Sequence, residues 1–105
     1  MDVEAMEKLL MRDPNNLLLR FGLGATYLRH NEPAKAIPHL RAAVTLDAHH
    51  AAAWKLLGQA LAADGQPDAA RAVYGEGIRQ AEAHGHIQAA REMRVFLKRL
   101  DKTPP

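Results

Sequence analysis

Apolar residues recur along this chain every three or four positions rather than every second one, the spacing that gathers them on one side of an α-helix. In the segment LLLRFGLGATYLRH the large ones are Leu17, Phe21, Leu23, Tyr27 and Leu28. Residues 2–12 place Val3, Met6, Leu9 and Leu10 on one side, and residues 86–101 do the same with Ile87, Ala90, Met93, Phe96, Leu97 and Leu100. Further helices are expected over residues 33–46, ahead of Gly65, and over residues 67–83. The breaks between them are specific. Asp13-Pro14 stops the first helix, and Asn15 or Asn16 caps the next. Asn31 and Gly65 sit where a helix ends in a left-handed residue, which these two types tolerate best. Pro33 and Pro67 open helices at the first turn, where the missing N–H costs little, while Pro38 removes a bond further in and predicts a slight bend.

The pattern repeats. Residues 17–50 laid on residues 51–84 pair Leu23 with Leu57, Gly24 with Gly58, Pro33 with Pro67, Ala36 with Ala70 and His50 with His84, each 34 apart. Similar residues extend the match: Leu40 faces Tyr74, Val44 faces Ile78, and Ala43 faces Gly77. Each unit therefore reads as two antiparallel helices. Gly24 with Ala36, and Gly58 with Ala70, remove bulk at positions expected to face each other, and Ala43 and Gly77 do so against the following helix. A half-unit at 2–14 and a last helix at 86–101 flank the two full units, the latter with Arg91, Arg94, Lys98 and Arg99 mostly outward, as an open-ended stack needs. One domain over residues 1–102 follows, and the Thr103-Pro104-Pro105 tail is expected to fray.

With 105 residues and 48% hydrophobic content the chain can bury a core. Its net charge of +2 argues against a dedicated nucleic-acid binder. The absence of cysteine removes disulfides, thiol nucleophiles and cysteine-based zinc sites, and fits a reducing compartment. The MDVEAMEKLL start is acidic where a secretory signal is basic, and no apolar run exceeds four residues, so a soluble, cytoplasmic protein with no membrane span is expected.

Catalytic motifs are missing. There is no Gly-rich phosphate loop, Gly-x-Ser-x-Gly or His-Glu-x-x-His, no serine at all, and threonine only at 26, 45 and 103. The carboxylates are dispersed over solvated faces, so neither an enzyme nor a cofactor is expected. His49 and His50 fall in one turn between units and His84 and His86 in the next, aligned along one edge, but no cysteine or clustered carboxylate completes a metal-ligand set and no metal is expected. His30 and His39 read as helix-surface residues. The basic stretch Arg91, Arg94, Lys98, Arg99 and Lys102 reads as a solvated cap, because no exposed aromatics interleave for base stacking.

These residues resemble the tetratricopeptide repeat, a 34-residue helix-turn-helix unit. The family's Leu-Gly pair falls on Leu23-Gly24, its aromatic on Tyr27, its small positions on Ala36 and Ala43, and its large apolar position on Leu40. The second unit matches through Trp54, Leu57-Gly58, Ala70, Tyr74 and Gly77. Departures are Arg20 where the family often has Trp, Leu61 for the aromatic, and Ala48 and Glu82 where Pro usually ends a unit. The resemblance implies an all-α, right-handed stack of antiparallel helix pairs, about six helices in all. It also implies a non-catalytic adaptor or scaffold whose first helices line a concave groove for a protein or peptide segment.

Groove positions implied by the family register are Leu18, Phe21, Ala25, Leu28 and Arg29 in the first unit. In the second they are Ala52, Lys55, Gln59, Ala62 and Ala63, and a continued register adds His86, Ala89, Met93, Phe96 and Leu97. Family members that clamp a C-terminal carboxylate resemble one another in having Lys, Arg and Asn where this chain has Phe21, Ala25, Leu56, His86 and Ala90, so that clamp is missing. An apolar or amphipathic segment is the expected ligand. The alternative is a self-assembling structural protein, a homodimer for example, in which terminal half-units of two copies complete each other.

Overall fold

Six helices succeed one another through turns of three or four residues: α1 (Val3–Arg12), α2 (Leu17–Arg29), α3 (Pro33–Leu46), α4 (Ala51–Ala63), α5 (Pro67–Ala83) and α6 (Ile87–Asp101). The computed structural model describes residues 2–102, which contain no strand; the expected fraying of 103–105 falls outside them. Local chemistry explains most of the boundaries. The Asp2 carboxylate accepts from the Ala5 N–H at 2.8 Å, and the Asn16 side chain, rather than that of Asn15, accepts from Leu19 at 3.0 Å. His50 caps α4 through Nδ1, which accepts from the Ala53 N–H. Proline opens α3 and α5 without a side-chain cap, and α3 continues unbroken through Pro38. Asn31 (φ 60°) and Gly65 (φ 75°) adopt the left-handed conformation expected of them.

Each helix packs antiparallel on its successor. The even-numbered helices also approach one another, α2 on α4 and α4 on α6, whereas the backbones of α1, α3 and α5 stay apart, although the side chains of Glu7 on α1 and His39 on α3 meet. Two layers result, and the layer whose helices lie closer together is the inside of a curve. The concave face therefore belongs to α2, α4 and α6.

Three glycines set the layer spacing. A Cβ added at Gly24 would lie 2.4 Å from Leu40, and one at Gly58 would lie 2.2 Å from the Tyr74 ring. One at Gly77 would meet both the Met93 sulfur at 2.7 Å and the Trp54 Cβ at 2.8 Å. Small residues were expected to face each other, Gly24 with Ala36 and Gly58 with Ala70. The structure instead seats a large side chain on each bare backbone, while Ala36 and Ala70 are buried one turn earlier. Tyr74, Leu23, Leu40, Leu57, Leu61 and Met93 are the largest fully buried side chains.

Arg20, which departs from the repeat pattern, has a structural equivalent. Trp54 donates its indole N–H to the Ala48 carbonyl at 2.8 Å, and Arg20, 34 residues earlier, donates its Nε–H to the Pro14 carbonyl at 2.9 Å. The same guanidinium reaches His39 Nδ1 at 3.2 Å, and His39 Nε2 lies 2.9 Å from Glu7. His39 stacks on Tyr27, whose hydroxyl points to Glu7. Contrary to the surface position expected, the His39 side chain is 12% exposed, because α1 folds over it. A neutral imidazole fits this seam, accepting from Arg20 and donating to Glu7. Burial holds its pKa below the usual 6.5, and the Arg20 charge acts in the same direction against the opposing pull of Glu7.

Two outcomes follow from this packing. Gly58→Ala is expected to destabilise the fold by about 1–3 kcal/mol through overpacking against Tyr74. Gly22→Ala, whose Cβ would lie at an ordinary 3.7 Å from Met6, should stabilise by up to about 1 kcal/mol through helix propensity; urea unfolding of the two variants measures both. Because the folded state lowers the His39 pKa, the unfolded chain binds the proton more readily, so this contribution is present above pH 6.5 and lost as pH falls through the folded value. Urea midpoints should drop on acidification from about pH 7.5 to about 5.5, and His39→Gln should flatten that slope.

Candidate protein-interaction groove

The groove residues of α2 and α4 lie on the concave layer in two kinds of environment. Leu18 is 80% exposed and Arg29 is exposed, holding Thr26 through its guanidinium. Phe21 and Leu28 are half-buried against the core, and Phe21 tilts onto the His50 ring at 4.7 Å between centroids. Ala25, Lys55, Gln59 and Ala62 are likewise half-buried. Lys55 reaches across to Glu92 of α6 at 3.4 Å.

The third helix does not continue the register. Met93, expected in the groove, is fully buried against Gly77, whereas Ile87, assigned to the apolar side, is 51% exposed. The reason is a two-residue lag. α2 and α4 begin 34 residues apart, at Leu17 and Ala51, but α6 begins 36 residues after α4, at Ile87. α5 runs 17 residues against 14 for α3, and its following turn is one residue shorter. Gly85 (φ 75°) terminates it, with His86 N–H returning to the Ala81 carbonyl. The N-cap equivalent to His50 is thus His86, not His84. Shifted by two, the α6 counterparts of the α4 positions are Gln88, Arg91, Val95, Lys98 and Arg99, every one exposed. The available signal for this lag was Gly85, a left-handed stop with no counterpart after α3.

Phe96 remains at the groove edge. It stands 5.9 Å from Tyr74, centroid to centroid, with the Arg99 guanidinium over its ring. Between α4 and α6 these residues, with Gln59, Ala62 and Leu100, enclose a cleft of about 300 Å³. A wider depression of about 760 Å³ lies elsewhere, between the start of α1 and the α2–α3 turn, rimmed by Asp2, Glu4 and Glu32.

The histidine turns meet as their spacing suggested, through His49 and His84, whose ring centroids are 3.6 Å apart. His84 Nδ1 is engaged with the Gln80 carbonyl, and no group of three or more His, Cys, Asp or Glu able to hold a metal occurs among the described residues. None of the described helices is long and apolar enough to cross a membrane.

This architecture, helix pairs stacked so that alternate helices line one concave face, defines a helical-repeat scaffold. The family model "Tetratricopeptide repeat" matches residues 3–50 and 21–84, and the chain belongs to that family. A TPR repeat-containing protein of Pseudomonas aeruginosa is 43% identical over 102 residues, covering 97% of each chain. The solution structure of a protein from Bordetella parapertussis matches with a TM-score of 0.83 and 39% identity over 97% of this chain and 89% of that one. The crystal structure of MamA matches with a TM-score of 0.70 and 28% identity, over 87% of this chain and 61% of that one.

Zinc added at protein-equivalent concentration is expected to leave the melting temperature unchanged, since two histidines do not complete a site. A stoichiometric rise in calorimetry that vanishes in a His49→Ala, His84→Ala double variant would overturn this.

Proposed function

We propose that the chain is a non-catalytic protein-interaction module that receives an apolar or amphipathic segment of a partner along α2, α4 and α6. The observation that carries this reading is the exposure of Leu18, at a position where the fold needs no apolar residue, beside half-buried Phe21 and Leu28 on the concave layer. Membership of the tetratricopeptide repeat family supports a protein partner in general terms. The domain we assign spans residues 1–102, with units at 17–50 and 51–84 between terminal half-units.

Self-assembly by stacking α6 of one copy on α1 of another finds less support. Counting 36 residues on from Gly58, the glycine position of α6 holds Arg94, which pairs with Glu82, so the bare-backbone seat that joins the other helix pairs is missing there.

Leu18 is the cleanest position for a test, because its exposure frees it from the core. Leu18→Glu should retain the wild-type circular dichroism and lose capture of partners from a cell extract. Arg41→Glu, on exposed α3 surface away from the concave layer, should leave capture intact. Identical partners retained by wild type and Leu18→Glu would sink the groove reading.

A further inference from the structure

The cleft between α4 and α6 has apolar walls and a polar floor. Ala62 of α4 and Phe96 and Leu100 of α6 supply the walls. The floor is Tyr74, which belongs to α5 in the other layer. Only 2% of Tyr74 is exposed, because its ring lies on Gly58 and stands 5.9 Å from the Phe96 ring. Its hydroxyl makes no hydrogen bond among the described residues. None of their fully buried side-chain oxygens or nitrogens lacks a partner, so the hydroxyl belongs to the small part of Tyr74 that stays accessible, and Tyr74 lines the cleft. Burial pushes the phenol up to about 12, so it stays protonated and able to donate across the physiological range.

That hydroxyl restricts what can fill the cleft. A volume of about 300 Å³ lies at the lower end of the range for ligand pockets and gives room for one large side chain. A leucine or phenylalanine would shut water away from the Tyr74 hydroxyl and offer it no partner, which costs more than an ordinary hydrogen bond returns. A charged tip would be brought down onto a neutral phenol between apolar walls, since the Arg99 guanidinium is already engaged over the Phe96 ring. A tyrosine meets both demands. Its ring packs against apolar walls, and its single hydroxyl can either donate or accept, matching whichever role Tyr74 leaves open.

We propose that the α4–α6 cleft is the seat of one tyrosine side chain of the partner segment, its ring against Phe96 and Leu100 and its hydroxyl bonded to that of Tyr74. This rests on the groove reading and names the residue that anchors the segment at its α6 end. A nucleobase is a poorer match, because it presents several hydrogen-bonding edge atoms to a floor with one hydroxyl.

The test follows two-dimensional amide NMR spectra of the full chain titrated with N-acetyltyrosine amide, N-acetylphenylalanine amide and uridine. Each capped amino acid carries the side chain and two peptide groups, and weak but saturable binding is expected of ligands this small. The tyrosine compound should shift the signals of Gln59, Ala62 and Leu100, binding at least about fivefold more tightly than the phenylalanine compound. Tyr74→Phe keeps the ring on Gly58 and removes the hydroxyl, so it should lose this preference and bring the two compounds within about twofold of each other. Ala62→Leu, a substitution at a half-buried position that fills the cleft, should abolish binding of both. Equal or tighter binding of the phenylalanine compound to the wild type, an unchanged preference in Tyr74→Phe, tighter binding of uridine, or no saturable shift at the cleft each overturns the proposal. If it is overturned while Leu18→Glu still abolishes partner capture, the tyrosine seat falls and the groove reading stands. If the tyrosine preference is found while Leu18→Glu captures normally, this inference holds for the α4–α6 end and the α2 end is not used.

Discussion

Everything in this fold depends on a large side chain lying directly on a helix backbone. Leu40 on Gly24, Tyr74 on Gly58 and Met93 on Gly77 bring adjacent helices closer than any Cβ at those glycines would allow. That closeness fixes which helices meet. With each pair drawn tight, the α4 backbone approaches those of α2 and α6 while the α3 backbone stays apart from those of α1 and α5, and the even-numbered layer becomes the concave one. The groove is a geometric result of where three glycines sit.

The architecture was legible because its punctuation is local. A proline at a first turn and an asparagine or glycine in the left-handed conformation act through their own backbones, and their 34-residue spacing survives whatever lies between. Arg20 was harder to read. By side-chain type it breaks the repeat, yet by hydrogen bond it keeps it, since a guanidinium Nε–H reaches the Pro14 carbonyl as the indole of Trp54 reaches Ala48. His39 was misread for the opposite reason: nothing near it in sequence signals burial, which comes from α1 and its Glu7, 32 residues earlier.

The candidate site was legible on two helices and not on the third. A helix turns about 100° per residue, so a lag of two residues rotates a face by about 200° and exchanges inside for outside. That rotation buries Met93 and exposes Val95 and Lys98. The period held through α2 and α4, and the extension of α5 to Ala83 broke it. Helix existence tolerates an error of two residues in the boundary; the direction in which a side chain points does not.

Charge shows the same separation between whole-chain quantities and their placement. A net charge of +2 averages fourteen cations against twelve carboxylates and says nothing of where each sits. Asp2 and Glu4 gather at the start of α1, with Glu32 beside them at the α2–α3 turn, while the groove face of α6 is cationic and uncharged only at Gln88 and Val95. Lys35 pairs with Glu32 at that turn and Arg94 with Glu82 beside α6, so part of this charge cancels locally. A charged partner approaching a surface of this kind is oriented before contact, and orientation affects association rate and specificity more than it does affinity. Apolar surface such as that at Leu18 and Phe21 has the complementary property: its contacts are short-ranged and indifferent to direction. The α2 and α6 faces thus differ in composition, and the physics of the contacts each can make differs with it.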